Sequence, residues 1–302
     1  MYHYVRDNII EKTFNLNSLD IQDFKKQLDW LEENFDPMSW DEYNYCILEN
    51  TKFPDNKFLL TFDDGLKDHY KYVYPELKKR NLWGFFYISS QVYLEKVPLS
   101  VHITHMILDK IGADEFLSLI KKEMKSLSIN LENIQLDGIY RYDSLSFAEV
   151  KKIMNYLLDY ELRDQIIDNI FKRYYDDKSS FCDKFYCSEN ELIEMLNSNM
   201  ILGGHSHSHK VLSRLEDKDQ YEELKKSYNY LKSRYGLENP VFCYPFGHTH
   251  TYNQTTMQYL SEIGFHSSFN TVRDMTCVKK SNRFELPRYD TVDLYPFKKN
   301  RI

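Results

Sequence analysis

The sequence has no CxxC pair, no apolar run near the length of a membrane span and no excess of positive charge. Its five cysteines, at positions 46, 182, 187, 243 and 277, are scattered and odd in number. That excludes a disulfide framework and sets the expectation of a reducing, cytoplasmic setting. Cys182 and Cys187 are poorly spaced for a zinc knuckle, so packing is their expected role. A formal net charge of −7 removes the usual electrostatic basis for nucleic-acid binding. Met1-Tyr2-His3-Tyr4-Val5-Arg6 opens on a strand-like pattern rather than a basic n-region and an apolar h-region, so no secretory signal is expected. No integral membrane segment is expected either. The basic stretch Lys298-Lys299-Asn300-Arg301 reads as a solvated tail. No internal repeat or low-complexity linker is present.

What the sequence does have is a 42% hydrophobic fraction over 302 residues, enough for a substantial core. Short apolar, aromatic-rich runs alternate with helical patterns. Strands are expected at Tyr2–Val5, Phe58–Phe62, Trp83–Ile88, Met200–Gly203, Val241–Tyr244, His266–Phe269 and Phe284–Pro287. Helices are expected near Ile21–Phe35, Leu66–Arg80, Glu189–Asn197, Lys218–Tyr235 and Asn253–Ile263. This alternation gives an α/β fold of parallel strands, as an open sheet or a barrel, and seven strands spread over the chain lean toward the barrel. Residues from about 97 to 187 break the pattern. Helices at Ser100–Lys110, Asp114–Lys125, Ser146–Tyr160 and Glu161–Tyr174 read as a helical insertion in a single domain spanning 1–302.

Two motifs carry the chemistry. Thr61-Phe62-Asp63-Asp64-Gly65 ends an apolar strand in two adjacent carboxylates. Buried and bare, they would repel each other, and a cation relieves that cost. One carboxylate can hold a metal while the other takes a proton from water. Gly65 permits the turn required there. The second motif is Gly203-Gly204-His205-Ser206-His207-Ser208-His209. If a helical turn begins here, His205 and His209 share a face and His207 points away. One or two oxygen donors with two imidazoles form a common set for a catalytic divalent metal. A metal-dependent hydrolase is the leading reading.

These motifs, in this order, resemble the T-F-D-D-G and H-[S/T]-x-x-H motifs of the NodB-type polysaccharide deacetylases, carbohydrate esterase family four. The resemblance implies a distorted (β/α)7 barrel of the glycoside hydrolase/deacetylase type carrying the helical insertion. It implies removal of the N-acetyl group of an amino sugar in surface-glycan metabolism. Asp63 would be the general base. Asp64, His205 and His209 would bind Zn2+ or another divalent transition metal. The family's R-x-P-[YF]-G motif is matched by Cys243-Tyr244-Pro245-Phe246-Gly247, with cysteine in place of the arginine that holds the base. Arg288, in Leu286-Pro287-Arg288, is the candidate to fill that role. The Tyr244 N–H is the candidate oxyanion donor, and both residues are grouped at the substrate and oxyanion side of the site.

The family's late leucine-x-histidine motif, source of its general acid, is absent. His3 on the first strand is the candidate acid, with His248 and His250 as secondary candidates. His69, His102 and His105 are expected to be structural. The expected partner is an N-acetylated carbohydrate, nucleotide- or lipid-linked, with no nucleic acid; the oligomeric state is not readable. Two alternatives stand beside this reading: an O-acetyl esterase on the same barrel, and a catalytically idle carbohydrate-binding barrel.

Overall fold

The computed structural model describes residues 1–10, 18–129, 145–175, 177–274 and 282–297. The basic stretch at 298–301 and Cys277 lie outside them. Nine short strands occur among the described residues: β1 Val5–Arg6, β2 Leu19–Asp20, β3 Asp36–Pro37, β4 Lys57–Phe58, β5 Thr61–Phe62, β6 Phe85–Ile88, β7 Ile201–Gly204, β8 Phe242–Cys243 and β9 Ser268–Phe269. β5 to β9 form one sheet in chain order, and every neighbouring pair is parallel. Single parallel bridges add Tyr2 beside Phe62 at one edge and Leu286 beside Phe269 at the other. The seven expected strand segments therefore lie side by side. The two edges are joined by a side chain: Arg288, just beyond Leu286, reaches Thr61 Oγ1 at 3.0 Å. The result is a curled, parallel half-barrel, as expected of a distorted (β/α) barrel. The expected run Phe58–Phe62 divides in two, because Lys57–Phe58 pairs with β3 and only Thr61–Phe62 joins the main sheet.

Local sequence explains the elements. Phe85-Phe86-Tyr87-Ile88 is buried at all four positions, as a strand covered on both faces must be. The helix Glu189–Asn197 starts at a capping box, Ser188 with Glu191, which satisfies two end donors at once. Asp217–Tyr235 stops at Gly236, whose φ of 70° suits a residue without Cβ. The expected helix Leu66–Arg80 is irregular. After one short helical step at Lys67-Asp68 it widens into a π-turn at His69–Val73 and returns to α-helix at Tyr74–Lys79.

The described chain falls into two compact units. The larger, residues 1–10, 18–95, 183–274 and 282–297, holds the sheet and the helices named above. The smaller, residues 96–129, 145–175 and 177–182, is built on the helices Ser100–Ile111, Ala113–Ser126, Leu145–Lys152 and Tyr160–Phe171. It has its own core, with Phe116, Ile120, Val150, Met154, Ile166 and Ile170 buried together. His102 is buried in this unit. No described helix is long and apolar enough to cross a membrane.

Candidate active site

Each candidate residue lies just past the carboxyl end of its strand segment. Asp63 and Asp64 follow β5, His205 follows β7, Cys243 ends β8, Asn270 follows β9, His3 follows the Tyr2 bridge and Arg288 lies two residues past the Leu286 bridge. Parallel α/β sheets collect chemistry at this end because every strand there hands over to a loop.

Asp64, His205 and His209 converge. Asp64 Oδ1 lies 3.4 Å from Nε2 of each histidine, and all three residues are buried. Their donor atoms fall within 4.8 Å of one another. His205 Nδ1 lies 2.7 Å from the Cys243 carbonyl. A carbonyl only accepts, so Nδ1 carries a proton, and Nε2 is the ring nitrogen turned toward Asp64 and His209, the one that would ligate a metal. One carboxylate oxygen and two imidazole nitrogens in a buried cluster fit a divalent transition metal. A second group, Asp63, His205 and Cys243, is as compact. There, however, the Arg288 guanidinium already supplies the positive charge: Nη2 lies 2.8 Å from Asp63 Oδ2 and 3.0 Å from Cys243 Sγ.

The second motif is not a helical turn. His205–His209 is a loop in which Ser206 and His209 take left-handed φ values of 58° and 56°. Such values cost free energy in residues with a Cβ and persist only where surroundings enforce them. The enforcement is visible. Glu223, buried on the helix Asp217–Tyr235, accepts the His207 N–H at 3.1 Å, the Ser208 N–H at 2.8 Å and the Ser208 hydroxyl. Ser206 Oγ accepts the His209 N–H at 3.0 Å, and Ser89 Oγ donates to the His205 carbonyl at 2.7 Å. His207 does point away, bridging Ser90 Oγ at 2.9 Å and Glu95 Oε1 at 3.0 Å.

The first motif is held as tightly. Asp64 has φ 80°. Gly65 has φ 64°, and a Cβ there would meet Ile88 Cγ2 at 2.8 Å. Cys187 clamps the turn, its N–H on the Gly65 carbonyl at 2.9 Å and its thiol on the Leu66 carbonyl at 3.0 Å.

Asp63 is gripped by Arg288 through two parallel hydrogen bonds, Nη1 to Oδ1 at 2.7 Å and Nη2 to Oδ2 at 2.8 Å. Arg288 also donates from Nε to the Asn270 carbonyl, from Nη1 to Thr61 and from Nη2 to Cys243 Sγ. All five guanidinium protons are thereby engaged. Burial pushes the Asp63 pKa up, but the charge and hydrogen bonds of Arg288 outweigh it and hold the carboxyl far below the usual range. Arg288 thus sits on the carboxylate of Asp63, where the sequence lacks the family arginine, and has no proton left for an oxyanion. His3 Nε2 lies 3.8 Å from Asp63 Oδ2, its side chain 41% exposed. His248 and His250 stack on each other at the surface, ring centroids 5.6 Å apart.

One expectation is corrected. The Tyr244 N–H donates to the Phe269 carbonyl at 3.1 Å and is spent on the sheet ladder. Two residues on, Phe246 has φ 62° and packs its ring on His209, centroids 5.0 Å apart. Its N–H has no acceptor among the described residues. Phe246, Glu223, Ser89 and Cys187 are the residues that sequence reasoning missed. Of these, only Phe246 carried a signal, as the fourth residue of Cys243-Tyr244-Pro245-Phe246-Gly247.

The polysaccharide deacetylase family model matches residues 159–268, which include the histidine loop and the Tyr-Pro-Phe-Gly turn. Over that stretch the chain is similar to the polysaccharide deacetylases. Among solved structures, deacetylase PplD of Streptococcus pyogenes, in complex with acetate, is 16% identical with a TM-score of 0.58, over 96% of this chain and 89% of that one. The de-N-acetylase from Aggregatibacter actinomycetemcomitans is 14% identical, TM-score 0.55, over 96% and 93%. IcaB from Ammonifex degensii is 16% identical, TM-score 0.53, over 95% and 91%. At such identities these likenesses establish a shared fold. Comparison with curated proteins gives no match.

Proposed function

We propose that this chain hydrolyses the N-acetyl group of an amino sugar in a glycan. The observation that carries the reading is the juxtaposition of two differently treated carboxylates. Asp64 faces two imidazoles, while its neighbour Asp63 is held ionised by Arg288. The substrate class follows the solved deacetylases of like fold, one of which is a de-N-acetylase.

Asp64, His205 and His209 would hold the divalent metal. When bound, it supplies Lewis-acid polarisation of the acetyl carbonyl and lowers the pKa of a bound water from about 16 toward about 7. Asp63, charged and fixed by Arg288, takes the proton as water attacks. The Phe246 N–H, which has no acceptor among the described residues, would receive the developing oxyanion. His3, protonated, gives its proton to the leaving amine, since an amide nitrogen departs poorly without one. His3 is partly exposed, with Nε2 3.8 Å from Asp63 Oδ2, so both residues would address one substrate from neighbouring positions.

The test is acetate and free-amine release from N-acetylated oligosaccharides and nucleotide sugars by the zinc-loaded protein. Asp63→Asn should lose about 10²–10⁴ in rate while still binding metal. Near-wild-type turnover by that variant would end the assignment. Acetate release from O-acetylated sugars only would move the reading to an esterase.

A further inference from the structure

Resting on that reading, we infer that His69 is a positioning residue for the candidate acid His3, which it holds through the peptide carbonyl of His3. His69 is fully buried against the stacked rings of Phe62 and Phe86, edge to face with both, with centroids 5.7 and 5.8 Å away. Its Nε2 lies 2.8 Å from the His3 carbonyl oxygen. The carbonyl can only accept, so Nε2 carries the proton and the tautomer is fixed. Nδ1 is then a buried acceptor with no partner among the described residues, a cost that an apolar ring of the same size would not incur. Burial pulls the pKa of His69 down to about 4, so the ring stays neutral through the working range and neither tautomer nor donor changes with pH.

His3 needs such a hold. The residue before it is bound into the sheet, because the Tyr2 N–H donates to the Thr61 carbonyl and the Asp63 N–H to the Tyr2 carbonyl. After it, the Tyr4 carbonyl accepts from Leu19 and Val5 pairs in register with Leu19. Between these two anchors the chain bends at His3, and the carbonyl at the bend is the one that His69 takes. The neighbouring residue completes the grip: Asp68 binds Arg6 in a buried pair, at 2.8 Å to Nε and 2.6 Å to Nη2. Asp68 and His69 therefore fix both ends of the segment from His3 to Arg6. His69 opens the π-turn at His69–Val73, a backbone irregularity often found at functional sites. The turn descends directly from Asp63-Asp64-Gly65, so base, metal ligand and acid are referenced to one stretch of chain.

The experiment compares His69→Phe, which keeps a ring and loses the donor, with His69→Gln, which keeps a donor, and with His3→Ala, all metal-loaded. His69→Phe should lower kcat about 10²-fold, as for a reacting group displaced by roughly 1 Å. KM and metal stoichiometry should hold, the basic limb of the pH–rate profile should weaken, and His69→Gln should recover most of the loss. In the His3→Ala background, His69→Phe should add almost nothing. Full additivity, or an unchanged kcat and basic limb in folded His69→Phe, overturns the inference. If His69→Phe does not fold, His69→Gln in both backgrounds decides by the same criterion. A crystal structure of the variant gives a readout independent of activity. His3 Nε2 should move out from its 3.8 Å approach to Asp63, and an undisturbed His3 refutes the inference even if no acetylated substrate is turned over. Absence of turnover in the wild type would instead count against the proposed function.

Discussion

Replacing Arg288 with methionine should expose how far one buried cation sustains both the fold and the base. The side chains of Arg288 and Asp63 are 4% and 3% exposed, and the fork that joins them closes the sheet edge. Removing one partner of such a pair leaves the other charge buried and costs about 3–5 kcal/mol. For a chain of this size that is a drop in Tm on the order of 10 °C. The change in pH dependence is equally specific. In the wild type the folded pKa of Asp63 lies below its ordinary value of 3.8. The pair is fully stabilising above that value and is lost only as pH falls through the lower, folded one. Without Arg288, burial remains and pushes the carboxyl up. The acidic limb of kcat/KM should then move to higher pH by more than about one unit, and the stability lost on substitution should be greatest near neutral pH and shrink as pH falls through the raised pKa, because protonation then relieves the buried charge. Arg288→Lys, which keeps the charge and loses the fork, should recover part of both effects. Thermal unfolding from pH 3 to 8, with pH–rate profiles of the three proteins, tests this. An unmoved acidic limb and a Tm within about 2 °C of wild type would refute the reasoning.

Other outcomes follow from the same geometry. His3→Ala should lose the basic limb of the pH–rate profile and about 10²-fold or more in rate with metal content unchanged; an unaltered profile removes His3 from the mechanism. Glu223→Ala frees the loop that carries His207 and Ser208. Zinc affinity should weaken about 10–100-fold, as for other groups that orient metal ligands, and calorimetric titration would show it. Gly65→Ala should destabilise the protein markedly, since its φ is left-handed and the new Cβ meets Ile88; equilibrium denaturation measures the loss.

Strand positions were readable because each is a short, buried apolar run bounded by polar turns, and the sheet follows chain order. Glu189–Asn197 was equally plain from its spacing. The helix Trp40–Leu48 was missed although Ser39 and Glu42 form a capping box ahead of it, because its nine residues mix apolar and polar side chains without a clear stripe. The π-turn at His69 has no sequence signature. In the site, Asp64, His205 and His209 were legible as residue types at metal-ligand spacing. How they converge was not: the loop is set by Glu223 and Ser89, which lie far away in sequence. The oxyanion donor was placed two residues early because whether Tyr244 belongs to strand or turn depends on Phe269 across the ladder.

The account depends most on one cation held by Asp64, His205 and His209, and calorimetric titration of metal-stripped protein with zinc tests it most directly. Wild type and Asp63→Asn should each bind one equivalent, and His205→Ala and His209→Ala should lose it. A wild type that takes up no zinc, or histidine variants that bind it as the wild type does, would contradict the account.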